Sequence, residues 1–440
     1  MRFTLAAVSG AALTGAIVVP GGLLPATLQE QTPLSGPRLA HHIDPDDDAY
    51  WGPGLPAKDA VASSLGKTAD RLAAAVDKAL EVVEDARHVL ADKLAHAMDG
   101  NGYQKHPSLT IYELIKHSEH TTKFAEIVDE HPGIVKLLNS TGTNYTLFAP
   151  TNEAFKDLPH GGEGKPGKHF VEAVLKYHIG LGEYPAWRIL STHTVPTALD
   201  ERLLDGEPQR LRTSIGLGGV TVNFYSKVVA ANFEATNGIV HGVNNILIPP
   251  PMAGRLISLF PSQFSTLLLA YEMTDFAKYM HSVKLVGGTV FAPTNNAFAS
   301  LGLKANAFLF NTKAGRKYLA ALLKYHISPN ATLYSDAYYD NTRSGSDPEE
   351  DGLNTAHYNL PTLLDEARVR VTIVNWGPVS TIEVNGYSHV TVRDGLAKNG
   401  VIQAVDGVLI PSFKHSDPKK PDDTKGIEIE DLMERLAPYV

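Results

Sequence analysis

The sequence predicts an α+β chain of two tandem copies of one domain, preceded by a long amphipathic helix. Three observations predict it. Tyr145-Thr-Leu-Phe-Ala-Pro-Thr-Asn-Glu-Ala-Phe155 returns almost unchanged as Thr289-Val-Phe-Ala-Pro-Thr-Asn-Asn-Ala-Phe298. Leu175-Lys-Tyr-His-Ile179 returns as Leu323-Lys-Tyr-His-Ile327, and Asn237-Gly-Ile-Val-His-Gly-Val-Asn-Asn-Ile-Leu-Ile-Pro249 returns as Asn399-Gly-Val-Ile-Gln-Ala-Val-Asp-Gly-Val-Leu-Ile-Pro411. Three blocks recurring in the same order define a duplicated domain, because chance does not repeat patterns of this complexity. The distance between matching blocks grows along the chain, so the second copy carries extra loop residues.

The first segment, 1–26, reads as a secretory signal. Met1-Arg2 supplies positive charge, Phe3 to Val19 is an uncharged apolar run, and Pro20-Gly-Gly22 breaks it before a small-residue site at Leu24-Pro-Ala26. An uncleaved signal anchor is the alternative, since the run approaches spanning length. Once cleaved, no membrane span is expected, and the C-terminus has no long apolar tail for a glycolipid anchor. Residues 27–56 are rich in Pro, Gly and acidic side chains and read as a disordered leader; His41 and His42 there read as part of a solvated tail. Over 57–100, Leu65, Ala69, Leu72, Val76, Ala79, Val83, Ala86 and Leu90 recur at helical spacing with charges between them. That is an amphipathic helix with an Ala-rich seam, suited to docking on the first repeat or pairing with a second helix.

The first repeat spans 106–250. Ile111 to Val128 and Gly133 to Leu138 read as helices, Tyr145 to Ala149 as a short buried strand, and Phe170 to His178 as another helix. Val220-Thr-Val-Asn-Phe224 alternates like a strand, Gly216-Leu-Gly-Gly219 reads as a hairpin turn, and Gly238 to Ile248 closes the domain. Helices first and strands later point to an antiparallel sheet system, not alternating β-α units. The second repeat, 252–413, follows the same order: helices over Leu256 to Met280 and Phe308 to His326, then strands at Val369 to Ile373 and Thr381 to Val384. Its insertion lies near Ser344 to Asp351. Residues 414–440 form a polar linker and a final helix near Ile427 to Leu436.

Composition narrows function. A net charge of −9 over 440 residues, without a basic stripe, argues against nucleic acid as a partner. No cysteine is present, which removes thiolate nucleophiles and disulfide staples, so each domain depends on its core. Asn139, Asn144 and Asn330 head Asn-x-Ser/Thr sequons and are expected to carry glycans on surface loops. No catalytic, metal or phosphate-binding motif stands out and no cofactor is expected.

Within the repeated blocks, Phe148 and Phe291 end a strand facing the core, and Pro150 and Pro293 stop it. Thr151-Asn152 and Thr294-Asn295 offer acceptors to the helix that follows. Phe155 and Phe298 pack back from that helix. His241 becomes Gln403 in the second copy, which disfavours acid–base or metal chemistry and leaves a hydrogen-bonding role.

Taken together, these three blocks resemble the hallmark blocks of the fasciclin (FAS1) domain, over both repeats. The resemblance implies a β-sandwich or wedge flanked by helices, in secreted adhesion, matrix or cell-wall proteins similar to two-domain fungal members. It implies extracellular protein or glycan partners and no enzyme activity. A vacuole-like compartment on the same pathway is the alternative destination, and a small-molecule-carrying or accessory scaffold the alternative function. The family's Tyr-His motif maps onto Tyr177-His178 and Tyr325-His326, which the resemblance implies as binding residues. Adjacent helical side chains cannot share a face, so at least one of each pair is expected to hydrogen-bond inside its domain.

Overall fold

The computed structural model describes residues 104–105, 108–156, 167–189, 191–216, 219–283, 285–340, 349–350, 355–365, 367–376, 379–411 and 426–440. The signal, leader and amphipathic segments expected over 1–100 lie outside the described residues, as do most of the insertion and the linker over 414–425.

A two-residue strand, β1 (Gln104–Lys105), enters the first repeat. Helices α1 (Ile111–His117), α2 (Thr122–Asp129) and α3 (Pro132–Asn139) follow. Then come β2 (Tyr145–Pro150), α4 (Lys168–Tyr177), β3 (Ile179–Leu181) and a one-turn helix, α5 (Ala186–Ile189). Strands β4 (Thr194–Asp200), β5 (Pro208–Gly216), β6 (Gly219–Val222), β7 (Ser226–Ala235) and β8 (Gly238–Val243) complete it.

The second repeat opens with α6 (Ala253–Ser258), α7 (Pro261–Met273) and α8 (Phe276–Ser282), then β9 (Gly288–Pro293). Helices α9 (Asn295–Ser300), α10 (Leu303–Asn311) and α11 (Lys313–Tyr325) lead to β10 (Ile327–Pro329), β11 (Ala331–Leu333) and β12 (Tyr338–Asp340). Strands β13 (Glu349–Glu350), β14 (Thr355–Pro361), β15 (Arg368–Trp376), β16 (Val379–Val384), β17 (Ser388–Ala397) and β18 (Gly400–Val405) finish the sheet. Helix α12 (Ile429–Leu436) then packs Leu432 and Leu436 into the second core.

Each repeat is a curled sheet with helices over one side. The first runs β1-β7-β6-β5-β4-β3-β2-β8 and closes through β7–β8; the second runs β10-β9-β18-β17-β16-β15-β14-β13. The sheets are not wholly antiparallel, as the order of elements suggested. The motif strand and the closing strand pair in parallel in both copies, Phe148 opposite His241 and Phe291 opposite Gln403. These two strands come from opposite ends of the domain, so no hairpin constrains their direction.

That pairing requires glycine at one position. Gly238 and Gly400 sit at φ 143° and 139°, where a Cβ would lie 1.9 Å from the Tyr145 carbonyl oxygen or 2.0 Å from that of Gly288. The preceding Asn237 ties the domain's first helix to its third: Oδ1 accepts from Ile111 N at 2.8 Å, and Nδ2 donates to the Leu138 and Ser140 carbonyls.

Helix boundaries differ from the expectation in two places. The single helix expected over Ile111 to Val128 is two, because Ser118 turns extended and Thr121 Oγ1 donates to the Ile115 carbonyl at 2.9 Å, closing the first helix. Likewise Phe308 to His326 divides at Thr312, whose Oγ1 accepts from Gly315 N at 2.8 Å and caps α11. The strand expected through Phe224 stops at Val222, since Asn223 and Phe224 take left-handed conformations in a tight hairpin turn.

Candidate functional site

The residues that recur in both copies converge inside each domain. Tyr177 ends α4 and is buried; its hydroxyl donates to the Arg210 carbonyl at 2.9 Å and accepts from Asn223 Nδ2 at 2.9 Å. Tyr325 repeats this with the Arg368 carbonyl and Asn385 Nδ2, at 2.9 and 3.0 Å. His178 and His326 cap the same helices from within. Their Nδ1 atoms lie 2.7 Å from the Val174 and Leu322 carbonyls, which only accept, so Nδ1 carries the proton. Their Nε2 atoms accept from Leu247 N at 2.9 Å and Leu409 N at 2.8 Å. Each imidazole thus pins the closing Ile-Leu-Ile-Pro or Val-Leu-Ile-Pro segment to the end of a helix. Burial pushes both down from 6.5 to about 4, so they are neutral at physiological pH.

As surface contacts for a partner, Tyr177, His178, Tyr325 and His326 are therefore corrected to core residues. Every polar atom of their side chains is engaged within the domain, and all four are buried. The expectation that at least one of each pair turns inward is met by both.

His241 and Gln403 occupy one position and do one job. His241 Nε2 donates to the Tyr184 carbonyl at 2.9 Å while Nδ1 accepts from Asn232 N at 3.2 Å. Gln403 Nε2 donates to the Leu333 carbonyl at 3.0 Å while Oε1 accepts from Asp394 N at 3.0 Å. Asn232 and Asp394 are both left-handed bulge residues, at φ 63° and 58°. Their side chains in turn accept from Ala186 N and Ser335 N, each at 2.8 Å. A hydrogen-bond bridge survives the His-to-Gln change, whereas a proton relay would not.

The Phe-Ala-Pro-Thr-Asn block also works inward. Phe148, Phe155, Phe291 and Phe298 are buried, and Pro150 and Pro293 end their strands. Thr294 Oγ1 accepts from Ala297 N at 3.2 Å, the expected cap. Thr151 instead precedes a short 3-10 turn (Asn152–Phe155) without a side-chain cap. The asparagines cap a different helix from the one expected. Asn152 Oδ1 accepts from Lys123 N at 3.0 Å in α2, and Asn295 Oδ1 from Thr266 N at 2.9 Å, where α7 restarts after its kink at Phe264. Sequence proximity pointed to the following helix; the sheet brings an earlier one closer.

Asn139 and Asn144 are exposed, at the end of α3 and just before β2. Asn330 is half-buried between β10 and β11, with φ 56° and Oδ1 accepting from Val286 N at 2.8 Å.

One constellation was not visible in the sequence: the junction between the repeats. Asp336, between β11 and β12, accepts from His193 N and Thr194 N, each at 2.8 Å, and from Thr194 Oγ1. Arg210 is buried there. It donates to Thr194 Oγ1 at 2.7 Å, the Thr194 carbonyl at 3.0 Å and Tyr339 Oη at 3.0 Å, and lies over the Tyr334 and Tyr339 rings. Gln209 and Arg212 reach across to the Ala397 and Arg393 carbonyls, each at 3.0 Å. No motif marks these residues, because they lie outside the blocks that recur in both copies. Among the described residues no group of three or more His, Asp or Glu side chains could hold a metal ion, and no helix is long and apolar enough to cross a membrane.

Comparison with known proteins places this geometry. The fasciclin domain profile matches residues 119–249 and again 262–411. The aurofusarin biosynthesis cluster protein S of Gibberella zeae is 30% identical over 359 residues, covering 76% of this chain and 87% of that protein. The transforming growth factor-beta-induced protein ig-h3 of Sus scrofa is 33% identical over 146 residues, which is 33% of this chain and 20% of that protein. Stabilin-2 of Rattus norvegicus is 26% identical over 50% of this chain and 15% of its own length. A solved FAS1 domain pair from the insect cell adhesion molecule fasciclin I is 19% identical, covering 67% of this chain and 97% of that one at a TM-score of 0.30.

Proposed function

The chain belongs to the fasciclin family, and from that premise we propose that it is a secreted, non-enzymatic glycoprotein making adhesive contacts with matrix, cell-wall or cell-surface partners. One observation carries this reading. The polar residues common to both copies are consumed by the fold, so recognition falls to the exposed loops of two domains locked side by side. Two faces presented at a fixed distance gain avidity when both engage, without high affinity at either. Purified mature protein incubated with cell-wall fractions, glycan arrays and matrix proteins should bind one class in a saturable way. Binding to none above background sinks the adhesion reading.

A second reading is favoured by the Gibberella zeae relative, which matches along most of both chains and is named for a biosynthesis cluster. In it, the protein is a secreted accessory scaffold for a small molecule or an oxidative enzyme. Mass spectrometry of protein purified from its native source separates the two: a stoichiometric small molecule or enzyme supports the scaffold and counts against adhesion.

Secretion carries a further expectation. Glycans should occupy Asn139 and Asn144, which are exposed, and leave Asn330 bare, since it is half-buried between β10 and β11. Peptide mapping after glycosidase treatment in heavy-oxygen water reads each site; a modified Asn330 contradicts this.

A further inference from the structure

The junction between the repeats is heterologous: the second repeat uses one surface and the first uses a different one. On the second repeat the surface has two parts. One is the loop after β11, where Ser335 is held by the Asp394 bulge and Asp336 grips the first repeat. The other is the free edge of β17 from Arg393 to Ala397, whose end carbonyls accept from Arg212 and Gln209 of the first repeat.

The first repeat carries the same surface, and its equivalents are fixed by hydrogen bonds. Asn232 holds Ala186 as Asp394 holds Ser335, so Trp187 stands where Asp336 stands. Thr236 N donates to the Leu109 carbonyl at 2.8 Å as Lys398 N donates to the Pro251 carbonyl at 2.9 Å, so Ala231 to Ala235 on β7 match Arg393 to Ala397 on β17. Trp187 is 56% exposed, and Val229, near the bulge on β7, is 58% exposed. Scattered apolar side chains on a surface need no explanation. A tryptophan at the position that grips a neighbour in the other copy does.

What covers this surface is indicated by where the chain enters. The β7 edge is already taken at Phe233 and Glu234 by β1, running parallel to it. A parallel strand that reaches Phe233 at Gln104 comes from the direction of Asn232, the residue that anchors the Trp187 loop. Strand β1 therefore points back from Gln104 toward Asn232 and Val229, and the chain that precedes it is the segment next in sequence to this surface. It includes the amphipathic segment 59–98, whose Ala-rich seam gives a flat apolar stripe on which a large ring can lie.

We propose that residues 59–98 of this chain dock across Trp187, Val229 and the β7 edge, capping the first repeat as the first repeat caps the second. The segment would then serve as a terminal cap of the pair, covering on the first repeat the face that the second repeat covers with the first.

The absence of cysteine in the chain gives a clean test in the full-length protein. Val229→Cys is combined in turn with Ala69→Cys, Ala79→Cys and Ala86→Cys, and Val379→Cys on the second repeat replaces Val229→Cys as control. Intramolecular disulfide should form with at least one partner at least about tenfold faster than in the control, the ratio expected for a contact worth more than about 1.4 kcal/mol. Disulfide-linked dimers in its place would assign the surface to a second copy and overturn the proposal, as would rates equal to the control. A second readout does not depend on disulfide geometry. Trp187→Asp should speed amide exchange across 65–90 by at least about tenfold while leaving exchange in β2 and β9 unchanged. Equal exchange in both proteins also overturns it.

Discussion

His178, His241 and His326 are buried imidazoles held neutral with opposite tautomers: the first and third protonated at Nδ1, His241 at Nε2. Burial lowers all three from 6.5 to about 4. Their contribution to stability is complete above pH 6.5. It is lost as pH falls from 6.5 towards 4, because the unfolded chain takes up protons that the folded chain refuses. Each histidine accounts for about 3 kcal/mol over that window. Stability measured by denaturant melts should thus fall steeply between pH 6.5 and 4. His241→Gln should blunt the fall by about a third while costing less than about 1.5 kcal/mol at pH 7.5, because Gln403 already makes the same bridge. An unchanged acid limb in that variant would show that the ring at 241 is solvated. His178→Gln lacks such a precedent and should cost more, about 2–3 kcal/mol, by leaving the buried Leu247 N–H without a partner.

At the scale of elements, the parallel pairing of the motif strand with the closing strand is what the Asn-Gly dipeptides encode. Gly238→Ala drives a Cβ into the Tyr145 carbonyl and should cost more than about 4 kcal/mol, enough to abolish cooperative folding of the first repeat. Gly206 also has positive φ, at 85°, but a Cβ there meets nothing within 4 Å. Gly206→Ala should cost only about 1 kcal/mol, the backbone term alone. Thermal melts of the two variants separate steric overlap from backbone preference, and equal losses would refute the distinction. The motif strand, the helix of the Tyr-His block and the closing strand could be read from sequence because their apolar periodicity and glycines are local. The split of Ile111–Val128 could not be. Thr121 closes α1, but the start of α2 is held by Asn152, distant in sequence. The inward turn of both Tyr177 and His178 escaped for the same reason, since Asn223 and Leu247, which hold them, are set by the sheet and not by the helix.

In the whole molecule, the two repeats are joined by a buried cation instead of a flexible linker. Arg210 satisfies its donors on Thr194 and on Tyr339 of the other repeat, and Tyr339 Oη donates onward to the Pro208 carbonyl at 3.1 Å. Arg368 is its counterpart in the second repeat, as the shared Tyr-to-carbonyl bonds show, yet Arg368 is exposed and donates only within its own repeat, to the Asn359 carbonyl at 2.9 Å. This contrast isolates the junction experimentally. Arg210→Ala removes three donors from Thr194 and Tyr339 and opens space beside two tyrosine rings, so it should cost about 3 kcal/mol of coupling. Asp336→Ala frees the His193 and Thr194 amides and should cost about 2 kcal/mol. Arg368→Ala should cost less than about 0.5 kcal/mol. If the junction makes one cooperative body, calorimetry of the unaltered protein shows a single transition, and Arg210→Ala splits it into two with the total enthalpy nearly conserved. Were the two domains independent, the unaltered protein would already show two transitions, and Arg210→Ala would lower one without separating them. Partner binding completes the argument: if both faces must be held at a fixed distance, Arg210→Ala weakens binding to a two-site surface far more than to a one-site fragment of it.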